Sequence, residues 1–437
     1  MKPLLARACL ANFALVNLAL ALPAWAQQSD ATDGLGSVSS ENPFGRDRNT
    51  SVLDRPRPDY VPVPARIGTV EVLPRVALGT GYDDNLYATR GNRVDDAYLR
   101  VRPRVTITRP SPDLRLSLNA ELDLLRYADR ASENATQYVL DGRALYTIRR
   151  DTTLSVQLVN ARYSEERVSP DSPTGVVRPN RFTLTSGNAS LSHVFNRLRV
   201  RGVVDVENRN YRDGRSPTGA VVDQDFRDRT TITTTGIGEY ALSPSIALFL
   251  AGSYNWRDYR TRIGPVPARD STGYELTAGS SFELGRKMRG SLRVGYLRQH
   301  YRDRFFDDIS GLLVRGELAW FATPLVTVTG RVDRTVSETG VAGAGGYLKT
   351  TAGLRADYEL LRNLIFSAGG ELEKRDFSNI DRNDDRWTWR FNGTYLLSHR
   401  LSLRGEFQRR TQSSRGALPG RQFNDNRISL GITLSGI

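Results

Sequence analysis

Arg100, Arg102 and Arg104 recur at every second position, and Arg199 and Arg201 repeat the spacing farther along the chain. Two is the side-chain period of a β-strand, so each run sets its guanidinium groups on one face. A guanidinium presents a planar fork of donors that matches the oxygens of a carboxylate or phosphate. Such a face therefore suits uronic and other acidic sugars. Acidic residues keep the same alternation, Glu121 with Asp123 and Asp357 with Glu359, the latter pair in phase with Arg355. These residues are the candidate solute-contacting positions. Cross-strand ion pairing, which braces a wall without touching any solute, accounts for the same pattern equally well.

Catalytic chemistry has little to work with. The histidines are His193, His300 and His399. A hydrolytic site needs a nucleophile and a base held by an orienting partner. Ser192 precedes His193, but no Asp or Asn at a telling spacing completes a triad, so no enzymatic activity is expected. The acidic runs Asp83-Asp84-Asn85 and Asp381 to Asp385 offer hard oxygen ligands. Neither has the spacing of a cation loop, so they read as solvated loops, and no metal or other cofactor is expected. The one cysteine, Cys9, lies in a leader segment, which leaves no disulfide or thiolate metal site in the remainder.

The elements that must position the arginine rows are strands. From about residue 68 to the end, eighteen short segments alternate apolar with polar residues. The even-numbered segments end in tight turns, such as Asn196-Arg197, Ser243-Pro244, Thr323-Pro324 and Arg362-Asn363. The odd-numbered ones mostly end in longer polar loops, such as 83–94, 164–180, 212–224, 258–270 and 413–424. Two classes of connection in strict alternation have no reason in a sandwich. A barrel threaded through a bilayer explains them, with short turns periplasmic and long loops outside. The expected fold is all-β, a transmembrane antiparallel up-and-down barrel of about 18 strands with both termini periplasmic; 16 strands follow if the first pair is misread.

Alternation assigns the faces. Leu114, Leu116, Leu118, Ala120, Leu122 and Leu124 share one side, and Arg115, Ser117, Asn119, Glu121 and Asp123 the other. Lipid must take the apolar set, because Arg or Lys at the bilayer midplane costs about 2–4 kcal/mol. The charged set then lines the lumen in nearly balanced numbers of acids and bases, a surface suited to hydrated solutes such as sugars. An 18-stranded barrel is wide enough for a water-filled channel. Tyr82, Tyr163, Tyr211, Trp256 and Tyr301 fall beside long loops and read as one interfacial girdle, with Trp387 and Trp389 also assigned to the interface.

The remaining regions set the compartment. Lys2 and Arg7, the apolar run Ala8 to Leu22 and the small-x-small site Ala24-Trp25-Ala26 read as a signal peptide over 1–26. Residues 27–66 carry Pro43, Pro56, Pro58, Pro62 and Pro64 with scarcely any apolar periodicity, and read as a flexible periplasmic arm. The barrel takes 67–437. The formal charge of +13 prompts a nucleic-acid hypothesis. The arginines are spread over nearly every strand and loop, however, and the signal sends the chain outward, so no nucleic-acid partner is expected. Outer-membrane lipid and lipopolysaccharide are the expected surroundings. The arginines of Tyr211-Arg212-Asp213, Trp256-Arg257-Asp258 and Tyr301-Arg302-Asp303 could meet lipopolysaccharide phosphates, although solvated loop charges explain them as well.

Residues 68–437 resemble the putative β-barrel porin 2 family of outer-membrane proteins from Gram-negative proteobacteria. The carriers are the opening strand that ends Gly79-Thr80-Gly81-Tyr82-Asp83-Asp84-Asn85-Leu86-Tyr87, the tight-turn rhythm and the recurrent aromatic-Arg-Asp strand ends. One departure is the last residue, Ile437, which is out of phase with Ile428, Leu430, Ile432 and Leu434 and is not aromatic. The resemblance implies an association with exopolysaccharide or capsule production. The expected function is thus a conduit for export of an extracellular, acidic polysaccharide, with a periplasmic export component as a further partner. The alternatives are a general diffusion or oligosaccharide uptake porin, and a non-conducting scaffold whose arm recruits a periplasmic protein.

Overall fold

The computed structural model describes residues 50–173, 175–262 and 267–436; the expected signal peptide, 1–26, and residues 27–49 of the expected arm lie outside them. Eighteen long strands form one antiparallel sheet that closes on itself. In chain order they are β1 (Val70–Asp83), β2 (Asp96–Arg109), β3 (Leu114–Tyr127), β4 (Ala135–Arg149), β5 (Thr152–Ser164) and β6 (Arg181–Phe195). There follow β7 (Leu198–Tyr211), β8 (Arg229–Ser243), β9 (Ile246–Tyr259), β10 (Ser271–Leu284), β11 (Met288–Tyr301) and β12 (Ile309–Thr323). The last are β13 (Val326–Glu338), β14 (Gly346–Leu361), β15 (Leu364–Phe377), β16 (Asn383–Leu396), β17 (Leu401–Arg415) and β18 (Phe423–Ser435).

Each strand pairs with its sequence neighbours, and closure is made by β1 against β18, from Arg75 opposite Ser435 to Asp83 opposite Arg427. The expected strand number and the alternation of tight and long connections are both found. The reason is local: a tight antiparallel return fixes the register of each hairpin, and period two fixes which face meets lipid. Leu116, Leu118 and Leu122 are exposed on the outer surface while Asp123 is buried inside. Trp387, Trp389 and Phe391 repeat the scheme on β16. The apolar surface that a soluble protein would pack into a core is turned outward here, as the bilayer requires.

Two features lie beyond the wall. A three-residue strand, Ala65–Ile67, extends the sheet by pairing with β1 at Ala65 opposite Val72. Ahead of it, residues 51–57 do not hang free as an extended arm. Val52 is fully buried, and its amide donates to Thr327 Oγ1 at 3.0 Å. Inside the long-loop end the barrel is filled by side chains, with Leu297, Tyr301, Phe306, Ile309, Leu313 and Val336 in one apolar cluster.

Candidate functional site: the barrel lumen

The arginine row of β2 faces inward, as its alternation requires, and meets acids from β3. Arg100 Nε donates to Asp123 Oδ1 at 2.8 Å, and Arg104 pairs with Glu121. On β7, Arg199 pairs with Glu239 of β8, and Arg201 stands 3.9 Å from the same carboxylate. On β14, Arg355 Nε lies 3.1 Å from Asp357 Oδ2, whose other oxygen accepts from Ser367 at 2.6 Å. The candidate residues are therefore three separate groups of the wall. The β2 and β7 rows are five strands apart, roughly 24 Å along the sheet. Arg102 departs from the rest: among the described residues it forms no hydrogen bond or ion pair.

Part of the wall is open to solvent. The Arg331 and Glu317 side chains, paired at 2.9 Å across β12 and β13, keep 63% and 49% of their surface exposed although both point inward. Pairs of this kind cost little to separate, and they present donors and acceptors to a passing solute at near-neutral total charge.

The long-loop end is narrowed by loops that fold across it. The loop 165–180 is the hub. Glu165 accepts from Arg227 of the 212–228 loop at 2.8 Å. Arg167 is bidentate to Glu133 at 2.7 and 3.0 Å. Asp171 accepts from Thr339 Oγ1 at 2.6 Å and from the Gly340 amide at 2.9 Å, on the loop that follows β13. The Val168 carbonyl accepts from Arg386 at 2.6 Å, and Arg421 donates to the Arg167 carbonyl. Glu166 reaches Arg410 at 2.9 Å and Arg427 at 3.8 Å. Burial alone would raise its pKa, but Arg427 and Arg410 outweigh burial and hold its carboxyl at about 2.

This closure corrects part of the girdle reading. Tyr82, Trp256, Trp387 and Trp389 are exposed on the outer surface, where an interfacial belt belongs. Tyr163, Tyr211 and Tyr301 point inward. Phe182 stacks on Tyr211 at 5.0 Å and meets Tyr163 at a tilt, 5.6 Å between centroids, and the Arg227 guanidinium lies 4.0 Å from the Tyr211 centroid. A strand-end aromatic is drawn inward when folded loops give it something to pack against, and position next to a loop cannot reveal that. The acidic runs are likewise not solvated loops throughout. Asp83 pairs with Arg427 at 2.7 Å, and Asp384 accepts from Arg382 at 2.6 Å; both carboxylates are buried.

The histidines form no triad. His193 Nδ1 lies 2.7 Å from Thr152 Oγ1 and 3.9 Å from Asp151, so both neighbours address one ring nitrogen. A nucleophile–base–orienter relay needs its two partners on opposite nitrogens. His300 lies beside Asp308 at 2.8 Å and is exposed.

At the tight-turn end, Glu359 accepts from Arg55 at 2.9 Å and from Arg57 at 2.8 Å, and Arg57 Nε donates to the Arg362 carbonyl at 2.9 Å. Glu359 is thus occupied by the segment that precedes the barrel. Sequence reading missed Arg75 and Glu239. The outward series Val76, Leu78 and Tyr82 was signal enough to turn Arg75 inward. Glu239 shares its face with buried Ile237 and Ala241, which masked it.

Comparison with known proteins matches the family model described as putative beta-barrel porin 2 over residues 57–435. No curated protein matches the chain. Among solved structures it is similar to OccK2 (OpdF) of Pseudomonas aeruginosa, at 12% identity and a TM-score of 0.46, covering 83% of this chain and 97% of that one. It is also similar to OpdQ of Pseudomonas aeruginosa, at 10% identity and a TM-score of 0.45, covering 87% of this chain and 100% of that one.

Proposed function

From the premise that the chain belongs to the putative beta-barrel porin 2 family, and is an outer-membrane β-barrel channel, we propose that it passes small hydrated solutes, sugars and sugar acids, passively and without chemistry. The observation that carries this reading is the loop 165–180, bonded to the neighbouring loops after β3 and β7 and, across the lumen, to the loops after β13 and β17. A passage narrowed in this way admits small molecules, and the exposed Arg331–Glu317 pair below it supplies a polar, near-neutral wall. Single-channel conductance of the refolded protein in a planar bilayer tests the proposal. A steady conductance, reduced by millimolar sugar, supports it. A barrel closed at all voltages and salt concentrations sinks it.

Export of an acidic polysaccharide is the second reading, favoured by one observation: loop 165–180 closes part of the mouth beside the apolar cluster of wall side chains, so displacing it would widen the passage. Under this reading the segment before the barrel meets a periplasmic export component, and the exposed Arg212 and Arg302 face lipopolysaccharide phosphates, whereas Arg257 turns inward to pair with Glu338. Deletion of the protein would then abolish surface polysaccharide, and unchanged polysaccharide would remove the reading.

A further inference from the structure

Arg75 of β1 stands directly opposite Arg104 of β2 on the inner face. Like charges facing each other across strands destabilise a sheet, so this pairing does not serve the wall's stability. Arg102 is two residues along β2 on the same face and is therefore the diagonal neighbour of Arg75, about 7–8 Å away in an antiparallel pair. By register Arg102 faces Asp123, but both oxygens of that carboxylate are taken by Arg100. Arg104 takes Glu121. At this level four guanidinium groups from β1 and β2 meet two carboxylates from β3, and Arg75 and Arg102 are left over. Among the described residues neither forms a hydrogen bond or ion pair, and the Arg75 Nε is buried without a partner.

The surroundings keep this place open. On the other side of β1, strand β18 presents Gly431, Thr433 and Ser435, and β1 itself presents Ala77 and Gly79. These small residues form a shallow floor beside the two arginines. The next acid across it, Glu406 of β17, is engaged by Arg404 at 3.3 Å. The ladder between β2 and β3 skips Arg102 and Pro103, because proline has no amide to donate.

We propose that Arg75 and Arg102 form a lumen site for a single oxyanion group, the carboxylate of a sugar acid or a phosphate, gripped between two guanidinium forks. The proposal rests on the channel reading, whose solutes it narrows to acidic ones. Binding to the refolded chain in detergent, followed by calorimetry, tests it independently of whether the pore conducts. The probes are galacturonate and inorganic phosphate, with galactose as the uncharged control. At least one oxyanion binds, galactose does not, and raising the salt weakens binding. Binding of galacturonate alone assigns a sugar acid, and binding of phosphate alone assigns a phosphate ligand. Arg75→Gln and Arg102→Gln each weaken binding about tenfold, the expectation for one charge-assisted bond pair. Arg75→Lys with Arg102→Lys keeps the charge, loses the forks and falls between. Arg143→Gln, a charge removed from another wall, leaves affinity unchanged. Equal binding of galactose, no binding of either oxyanion, or unchanged affinity in the folded double glutamine variant overturns the site.

Discussion

Arg57 and Glu359 form a buried ion pair of 2.8 Å, with side chains only 6% and 3% exposed, that ties the segment before the barrel to the inner wall of β14. Arg55 shares the same carboxylate oxygen at 2.9 Å. Removing one partner of a buried pair costs about 3–5 kcal/mol, because the other charge stays desolvated. Glu359→Gln therefore releases the segment rather than tolerating the stranded Arg57. The Val52 amide, which donates to Thr327, exchanges with solvent on the order of 100-fold faster in the variant. Unchanged protection in hydrogen-exchange measurements would show that Val52 packing alone holds the segment.

The mouth should respond to acid through Glu166. Its carboxyl, held at about 2 by Arg427 and Arg410 against the opposing effect of burial, lies well below the ordinary 4.5. A depressed pKa contributes stability that is complete above the ordinary value and is lost as pH falls through the folded one. Loop closure is accordingly full at pH 5 and above, weakens below that and is lost near pH 2, with a total effect on the order of 3 kcal/mol. Glu166→Gln loosens the loop at neutral pH and flattens the acid response. Iodide quenching of a fluorophore on Ser169→Cys, a half-buried position of the closed loop, reads both effects. An acid response that survives Glu166→Gln would assign the closure to another carboxylate.

Strand number, hairpin register and the lipid-facing set were legible because each depends on local alternation, as Leu116, Leu118 and Leu122 illustrate. Inward direction was legible for the same reason, so Arg100, Arg102 and Arg104 fell where expected. Partner choice was not, because it depends on which residues meet across strands or across the lumen. Arg100 and Asp123 are 23 residues apart, and Arg410 and Glu166 are 244 apart. Tyr211 and Tyr301 were misplaced because strand-end position is the same whether a ring meets lipid or an infolded loop.

Close approach at Gly81 makes a sharp prediction. A Cβ there would collide with the Tyr98 ring and lie 2.7 Å from the Ile428 carbonyl oxygen, which belongs to the closing strand and cannot step aside. Gly81→Ala lowers stability by about 1–3 kcal/mol, as overpacking does. At Gly142 a Cβ would meet nothing within 4 Å, so Gly142→Ala stays within about 0.5 kcal/mol of the parent. Urea midpoints in lipid vesicles separate the two. Equal midpoints would mean that β1 and β18 can part locally without loss.

Leu354 and Thr351 test which face meets lipid. Leu354 is 62% exposed near the middle of β14 and shares its face with exposed Tyr358 and Leu360. An arginine there must sit in hydrocarbon or distort the bilayer, and costs about 2–4 kcal/mol. Thr351 is on the opposite face, across from Asp333 and Glu373, where an arginine meets water and carboxylates. Thr351→Arg therefore changes stability by less than about 1 kcal/mol. Unfolding of both variants from lipid vesicles gives the comparison directly. If Thr351→Arg were the costlier change, the apolar face would be the packed interior and the charged face the exterior, and a lumen lined by these arginines could not exist.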